Sequence, residues 1–401
     1  MVIKLNKLKN VTWTDLLVLS AWIYGGLLYF VNIAVNLITH SQLLADLVIF
    51  IYFGALILLS ARYWIHKIRK ADIFALLILI MIVLVSYLFN VGNRKFIESQ
   101  LSKLFLQAVP FYVVGLIIKQ EARTFNILYC GSMAVVLVNW LYVAIILGTG
   151  REMQEDNLFL AYSVLPHVLM MLWYAFEKKR LRNILLAVIG MIYLMSMGSR
   201  GPVNSSLVFI ALYLLYSSRG SSVKRFFSVI LPTAAVTVII LSGAWEDILL
   251  WISDQIEKLN LSTRVIDAIL YDSAESSNEA RLEIYEIMLG YIKQRPLTGY
   301  GIYGEWSMIS YYAHQVVIEL WCHYGVIVGS ILLLCGAGLI LKAFRKNANS
   351  YSQVYILVLV SSGVVRLMYT GTYLSDYIFL LLGFCVAALR IPKTQITKNE
   401  V

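Results

Sequence analysis

Charge is scarce in this chain. Only 14% of its 401 residues are charged, where a soluble domain of this size carries roughly a quarter. Sixty per cent are hydrophobic and the mean hydropathy is +0.76, which excludes an ordinary soluble domain. Cysteine is scarce too. Cys130, Cys322, Cys335 and Cys385 stand in apolar stretches without metal-ligand spacing. They read as small core residues, not as disulfide partners or metal ligands. No Gly/Ser linker or low-complexity tract marks a second domain. No repeat relates the two halves, which argues against the symmetric halves of many transporters. The apolar segment after Lys4, Lys7 and Lys9 lacks a small-residue cleavage site, so it is expected to be a retained span and not a removed signal. The net charge of +10 comes from small clusters between apolar runs and forms no continuous stripe. A nucleic-acid partner is therefore not expected.

What the chain does have is a series of apolar runs long enough to cross a ~30 Å hydrocarbon core as helices. Backbone groups in lipid must be satisfied internally, so helices are the expected form. The fold class is thus an all-α polytopic membrane protein, one integral membrane domain over residues 1–401. About twelve transmembrane helices are expected, at 14–36, 43–61, 72–90, 104–118, 125–148, 158–176, 184–198, 203–217, 226–243, 313–341, 352–370 and 373–389. Between spans nine and ten lies a single large loop, 244–312, expected to be a helical extracytoplasmic subdomain.

The connections alternate in charge. One side holds 22 of the 33 Lys and Arg residues, the other holds ten (five of them in the long loop), and Arg366 falls inside a span. The cation-rich side should be cytoplasmic. Both termini then lie inside, and the long loop faces outward. That places Arg200, in a Ser-Arg-Gly turn between spans seven and eight, on the outer face. Arg151 is also outside, and Arg366 is about one turn from the outer end of span eleven. Arginines on the cation-poor side need a reason other than topology.

A loop of about seventy residues should contain its own elements. Residues 245–260 place Ile248, Leu249, Ile252, Ile256 and Leu259 on one face, flanked by Trp245 and Trp251, as in a helix lying in the interface plane. A second helix is expected over about 279–294, capped by Ser276-Ser277-Asn278 and stopped by Pro296, with Arg281 in its first turn. Gly299, Gly301 and Gly304 then form a glycine-rich turn able to approach a ligand closely. Ala313-His314-Gln315 opens span ten.

Each candidate has two readings. Arg281 opposes the dipole of its helix and either pairs with Glu283 or Glu286 or binds an anion. His314 is either an interfacial polar residue or a general base. Arg200 either snorkels at a helix turn or binds phosphate oxygens bidentately. Arg366 either pairs with Asp376 or serves substrate. Glu319, one turn into span ten, should face the protein interior. His323 and His167 read as packing or hydrogen-bonding residues, and His40 and His66 as solvated.

The order of these motifs resembles a known family. Gly198-Ser199-Arg200-Gly201 is followed by Arg281, by Pro296-Leu297-Thr298-Gly299-Tyr300-Gly301, and by His314 with Gly325 beyond it. This resembles the O-antigen polymerase/O-antigen ligase family, including Wzy-type capsular and exopolysaccharide repeat-unit polymerases. Gln315 departs from the Asn that members often carry after the histidine, but keeps an amide. The resemblance implies a metal-independent glycosyltransferase with no cofactor, in the cytoplasmic membrane of a bacterium. It would use undecaprenyl-diphosphate-linked oligosaccharides as donor and acceptor at the outer face. Further implied partners are membrane lipids and the flippase and chain-length regulator of the same pathway. Arg200 and Arg281 would clamp the diphosphate and His314 would be the base. Gly299, Gly301, Arg366, Arg151 and Glu319 are candidate substrate contacts. A ligase with another glycan acceptor, and a polysaccharide flippase, are the alternative readings. A flippase should place charges near the bilayer midplane, whereas the unusual charges here lie outside.

Overall fold

The computed structural model describes residues 11–39, 41–148, 157–197, 199–218, 244–258, 263, 266, 270, 274–311, 313–347, 349–374 and 376–390. The described elements are all helical. In chain order they are α1 (Trp13–Thr39), α2 (Gln42–Trp64), α3 (Lys70–Phe89), α4 (Arg94–Lys103), α5 (Val109–Ile117), α6 (Ala122–Gly148), α7 (Asn157–Lys178), α8 (Leu181–Ser196) and α9 (Arg200–Ser217). In and after the long loop come α10 (Ala244–Lys258), α11 (Ala274–Gln294), α12 (Gly304–Ile309), α13 (Val316–Lys346), α14 (Ser350–Leu359) and α15 (Asp376–Arg390).

Five described helices are long and apolar enough to cross a membrane: Lys70–Phe89, Ala122–Ile145, Phe159–Lys178, Val316–Lys346 and Ser350–Met368. Shorter apolar helices include Leu181–Ser196 and Tyr377–Arg390. The fourth expected span, 104–118, is a π-type stretch (Leu104–Ala108) followed by the nine-residue α5. Pro110 lies at its N-terminus, where its missing N–H breaks the α pattern. The ninth expected span, 226–243, lies outside the described residues, as does Arg151.

The core forms around α7, whose residues from Leu160 to Ala175 are almost continuously buried. His167 is buried there, with Nδ1 3.3 Å from the Ser132 hydroxyl, which also accepts from the Trp22 indole at 2.8 Å. α5 and α15 cross at glycines. A methyl placed on Gly383 would lie 2.1 Å from the Tyr112 carbonyl, and one on Gly115 2.5 Å from the Leu380 carbonyl. Small residues bring helices together in lipid, where no hydrophobic force drives their association. The four cysteines are free. Cys322 and Cys385 are buried, but Cys130 and Cys335 are exposed on helix surfaces and so are not core residues. On an apolar helix a small thiol suits a lipid-facing position as well as a packed one.

The basic residues of the cation-rich side gather at one end. Lys67 Nζ donates to the Leu116 carbonyl, Lys119 Nζ to Thr12, and Arg390 to Asp72 and the Lys67 carbonyl. Arg123 pairs with buried Asp15, and Lys346 Nζ reaches the Leu389 carbonyl. His314 stands at the opposite end of α13 from Lys346.

Candidate functional site

The long loop docks on α13 through one face of α11. Met288 and Ile292, with Ile284 and Tyr285 beside them, pack on Ala313, Ile318 and Cys322. Spacing of three to four residues keeps these side chains on one stripe. Arg281 is the next step along that stripe. α11 begins at Ala274, about two turns before Arg281. The expected cap Ser276-Ser277-Asn278 therefore lies inside the helix, and Arg281 is not in its first turn. The early start has a physical reason: Ala, Glu and Ser at 274–277 are compatible with a helix whose stability comes from tertiary packing, not from a cap. Arg281 is half-buried, while Glu283 and Glu286 are exposed, and neither pairs with it among the described residues.

α11 stops before Pro296, and the glycine turn follows. Gly299 and Gly301 have φ of +63° and +82°. The turn lies against a break in α13, where Gly325 adopts φ +76° and ψ 167°. A break in a span frees backbone groups that lipid cannot satisfy. Here the turn satisfies them. The amides of Tyr300 and Gly301 donate to the carbonyls of Cys322 and His323 at 2.7 and 3.0 Å, and the Val326 amide donates to the Pro296 carbonyl at 2.7 Å. On the other side, Asn93 donates to the carbonyls of Tyr300 and Ile302, and the Ser86 hydroxyl accepts from the Ile302 amide. The close approach Gly299 permits is thus to backbone, since a methyl there would lie 2.6 Å from the Cys322 carbonyl, while one on Gly301 would lie 2.5 Å from the Asn90 side-chain amide.

His314 immediately precedes α13. Its φ is +54°, in the left-handed region. Gln315 is the N-cap of α13, and its side-chain oxygen accepts from the Ile318 amide at 2.8 Å. The amide at this position therefore fixes the helix start against which His314 is set. Burial holds the imidazole below its usual pKa, the nearby Arg281 charge lowers it further, and a hydrogen bond to the backbone of Tyr369 works the other way. Arg281 is thus near enough for its charge to act on the imidazole, and Tyr369 is hydrogen-bonded to it.

Tyr369 links His314 to the remaining arginines. α14 continues through a π-type stretch (Val360–Val365) into a 3₁₀ turn, Arg366–Met368, whose first carbonyl accepts from the amides of Tyr369 and Thr370. Such bulges re-aim the side chains that follow them. The Arg366 guanidinium lies 5.0 Å from the centroid of the Tyr162 ring, and its buried Nε has no hydrogen-bond partner among the described residues. The side chain of Asp376, the partner expected for it, lies outside the description. Arg200 is the first residue of α9, with Ser199 as N-cap. The next residue, Gly201, packs so closely that a methyl on it would lie 1.7 Å from the Tyr162 hydroxyl and 3.3 Å from Tyr369 Cβ. The first turn of α9, Tyr162, Arg366, Tyr369, His314 and Arg281 therefore form one continuous neighbourhood. A helix N-terminus adds partial positive charge to that of Arg200.

Residues 184–334 match the O-antigen ligase family. This match supports the O-antigen polymerase/ligase assignment that the motif order carries. The family match contains Arg200, Arg281, His314 and Gly325, while Tyr162, Arg366 and Tyr369 stand outside it. No curated protein and no solved structure matches the chain.

Two parts of this neighbourhood carry no signal in the sequence. Tyr162 and Tyr369 carry no motif and join the site only through packing. Glu305, two residues into the loop's last short helix region, is fully buried together with Glu319 and His323. Glu319 does face the interior, and accepts from the Thr372 hydroxyl and, at 3.3 Å, from the Tyr373 amide. An open groove of about 680 Å³ lies beside the glycine turn. α3 walls it with apolar side chains such as Met81 and Val85, and Arg295 and Tyr324 also line it.

Proposed function

We propose that the protein is a polysaccharide polymerase. In this reading it moves a growing glycan from undecaprenyl diphosphate onto a lipid-linked repeat unit at the outer face of the cytoplasmic membrane. The observation that carries the proposal is the meeting of Arg281 with His314, whose imidazole is held to Tyr369 beside Arg366 and the first turn of α9. Cations gathered at one site suit an anion, and a diphosphate offers oxygens for bidentate guanidinium contacts.

The chemistry follows from charge. An acceptor hydroxyl oxygen attacks the anomeric carbon, the bond from that carbon to the diphosphate oxygen breaks, and the diphosphate leaves with the electron pair. The hydroxyl proton passes to His314, which burial and Arg281 keep neutral and able to accept it. Arg200 and Arg281 stabilise the charge growing on the diphosphate, the role a divalent metal plays elsewhere, so the transfer itself is metal-independent. One direct displacement inverts the anomeric centre. The apolar groove along α3 suits the polyisoprenoid tail.

Ligation to a different glycan acceptor is the second reading, favoured by the description of the matched family. The test is polymerisation by purified protein supplied with undecaprenyl-diphosphate-linked repeat units. A ladder from the native chain, lost in folded Arg200→Ala, Arg281→Ala and His314→Ala, is the expected result. Transfer of a single glycan to a separate acceptor, with no ladder, would establish ligation instead. Retained anomeric stereochemistry would overturn the mechanism.

A further inference from the structure

Three ionisable side chains from two segments converge in the interior. Glu305 of α12 is fully buried, and Glu319 and His323 of α13 are 2% and 1% exposed. One ligand-competent atom from each lies within 4.8 Å of the others. His323 Nε2 is in hydrogen-bond contact with Glu305 Oε2, and the Tyr303 amide also points at it, at 3.1 Å.

Protein groups alone balance the charge only with a proton on His323 and another on Glu319. Two carboxylates and an imidazole share this interior, and no lysine or arginine pairs with either carboxylate among the described residues. Unpaired buried charge is costly, so it is normally neutralised by a partner, a proton or a metal. Hydrogen bonding separates these options. The second oxygen of Glu305, Oε1, is buried and has no hydrogen-bond partner among the described residues. A proton shared between Glu305 Oε2 and His323 leaves that oxygen unsatisfied, whereas a cation held by both carboxylate oxygens uses it.

The surroundings have the form of a metal site's outer shell. His323 Nδ1 is 2.8 Å from the Tyr373 hydroxyl, which is 2.8 Å from that of Tyr324. This orients the ring and leaves Nε2 toward the carboxylates, as in sites where the second nitrogen of a ligating histidine is hydrogen-bonded. Glu319 is likewise oriented by Thr372 and the Tyr373 amide.

We infer that Glu305, Glu319 and His323 bind one first-row divalent cation of the manganese or zinc type. One nitrogen and carboxylate oxygens suit those ions, whereas magnesium and calcium prefer oxygen alone. The cation joins α12, α13 and, through the hydrogen bonds of Thr372 and Tyr373, the segment that follows Arg366 and Tyr369. It braces the backbone that carries the site and takes no part in moving the glycan.

The test uses the full chain in detergent, stripped with chelator and then titrated separately with Mn²⁺, followed by electron paramagnetic resonance, and with Zn²⁺, followed by calorimetry. One equivalent of at least one cation should bind and raise the thermal midpoint. Glu305→Gln and Glu319→Gln should each weaken binding by at least about 100-fold, beyond the effect of losing an outer-shell partner. Arg200→Ala should bind the cation as the native chain does, so loss of transfer and loss of metal are told apart. Native protein that binds neither cation saturably, or binding indifferent to both substitutions, would overturn the inference and leave protons as the neutralising charge. Should a Gln variant fail to fold, the stoichiometry and thermal shift of the native chain decide the matter.

Discussion

The guanidinium of Arg366 lies over the ring of Tyr162, 5.0 Å from its centroid, although the two residues are some two hundred positions apart. The contact holds a cation beside the first turn of α9 without neutralising it, because a ring face attracts charge but carries none. Arg366→Ala should lower kcat/KM for lipid-diphosphate donors by roughly 10²-fold, the scale of losing one positioned charge contact. Tyr162→Phe keeps the ring face and should keep most of the activity. Tyr162→Ala should behave like Arg366→Ala. Steady-state transfer rates on the four proteins check this, and full activity in Arg366→Ala would remove the residue from the site.

A second expectation concerns pH. His314 has its pKa held below the ordinary histidine value by burial and by Arg281. The neutral base then persists below about pH 6.5, so the acid limb of the kcat/KM profile should lie below that value. Arg281→Gln removes the second cause and should move the limb upward. The linked stability has a fixed sign. Below about pH 6.5 the unfolded chain takes up a proton that the folded chain refuses, so this group contributes less stability as pH falls. A limb unmoved in Arg281→Gln would show that His314 is not the titrating base.

Gln315 separates helix capping from chemistry. Gln315→Ala removes the acceptor for the Ile318 amide and should cost about 1 kcal/mol, as lost N-caps do. It should also reduce turnover, by loosening the backbone at His314. Gln315→Asn preserves an amide and should preserve both. Thermal midpoints and single-turnover rates distinguish the two effects.

The break in α13 offers a structural test. Gly325→Ala forces a methyl to within 2.4 Å of the Leu297 carbonyl at a positive φ. It should destabilise by more than about 2 kcal/mol, since left-handed backbone alone costs about 1–2 kcal/mol. Gly336→Ala, in the same helix with nothing within 4 Å, should be neutral or stabilising by up to about 1 kcal/mol. Denaturation in detergent should separate them clearly.

Much of this arrangement is legible in the chain. The apolar runs identify the helices because lipid leaves the backbone no alternative. Most boundaries fall within a few residues, as with 72–90 against α3 and 125–148 against α6. The order Ser-Arg-Gly, Arg, Pro-x-x-Gly-x-Gly and His is visible without any structure. The start of α11 was not legible, because the packing of Ile284, Met288 and Ile292 on α13 outweighs a local Ser-Ser-Asn signal. The partner of the glycine turn was not legible either. Positive φ can be read from glycine spacing, but whether a ligand or a broken helix fills the space cannot.

By itself, the sequence determined the helical membrane architecture and the order of motifs that resembles the O-antigen ligase family. These follow from periodicity, hydropathy and charge, which are properties of neighbouring residues. Only the tertiary structure decided that Arg281 meets His314, that Tyr162 and Tyr369 join them to Arg366 and α9, and that Glu305 is buried against Glu319 and His323. Those contacts join residues far apart in the chain. They form because a loop face must bury its apolar stripe and a broken helix must satisfy its carbonyls, and both requirements are met only when the whole chain has packed.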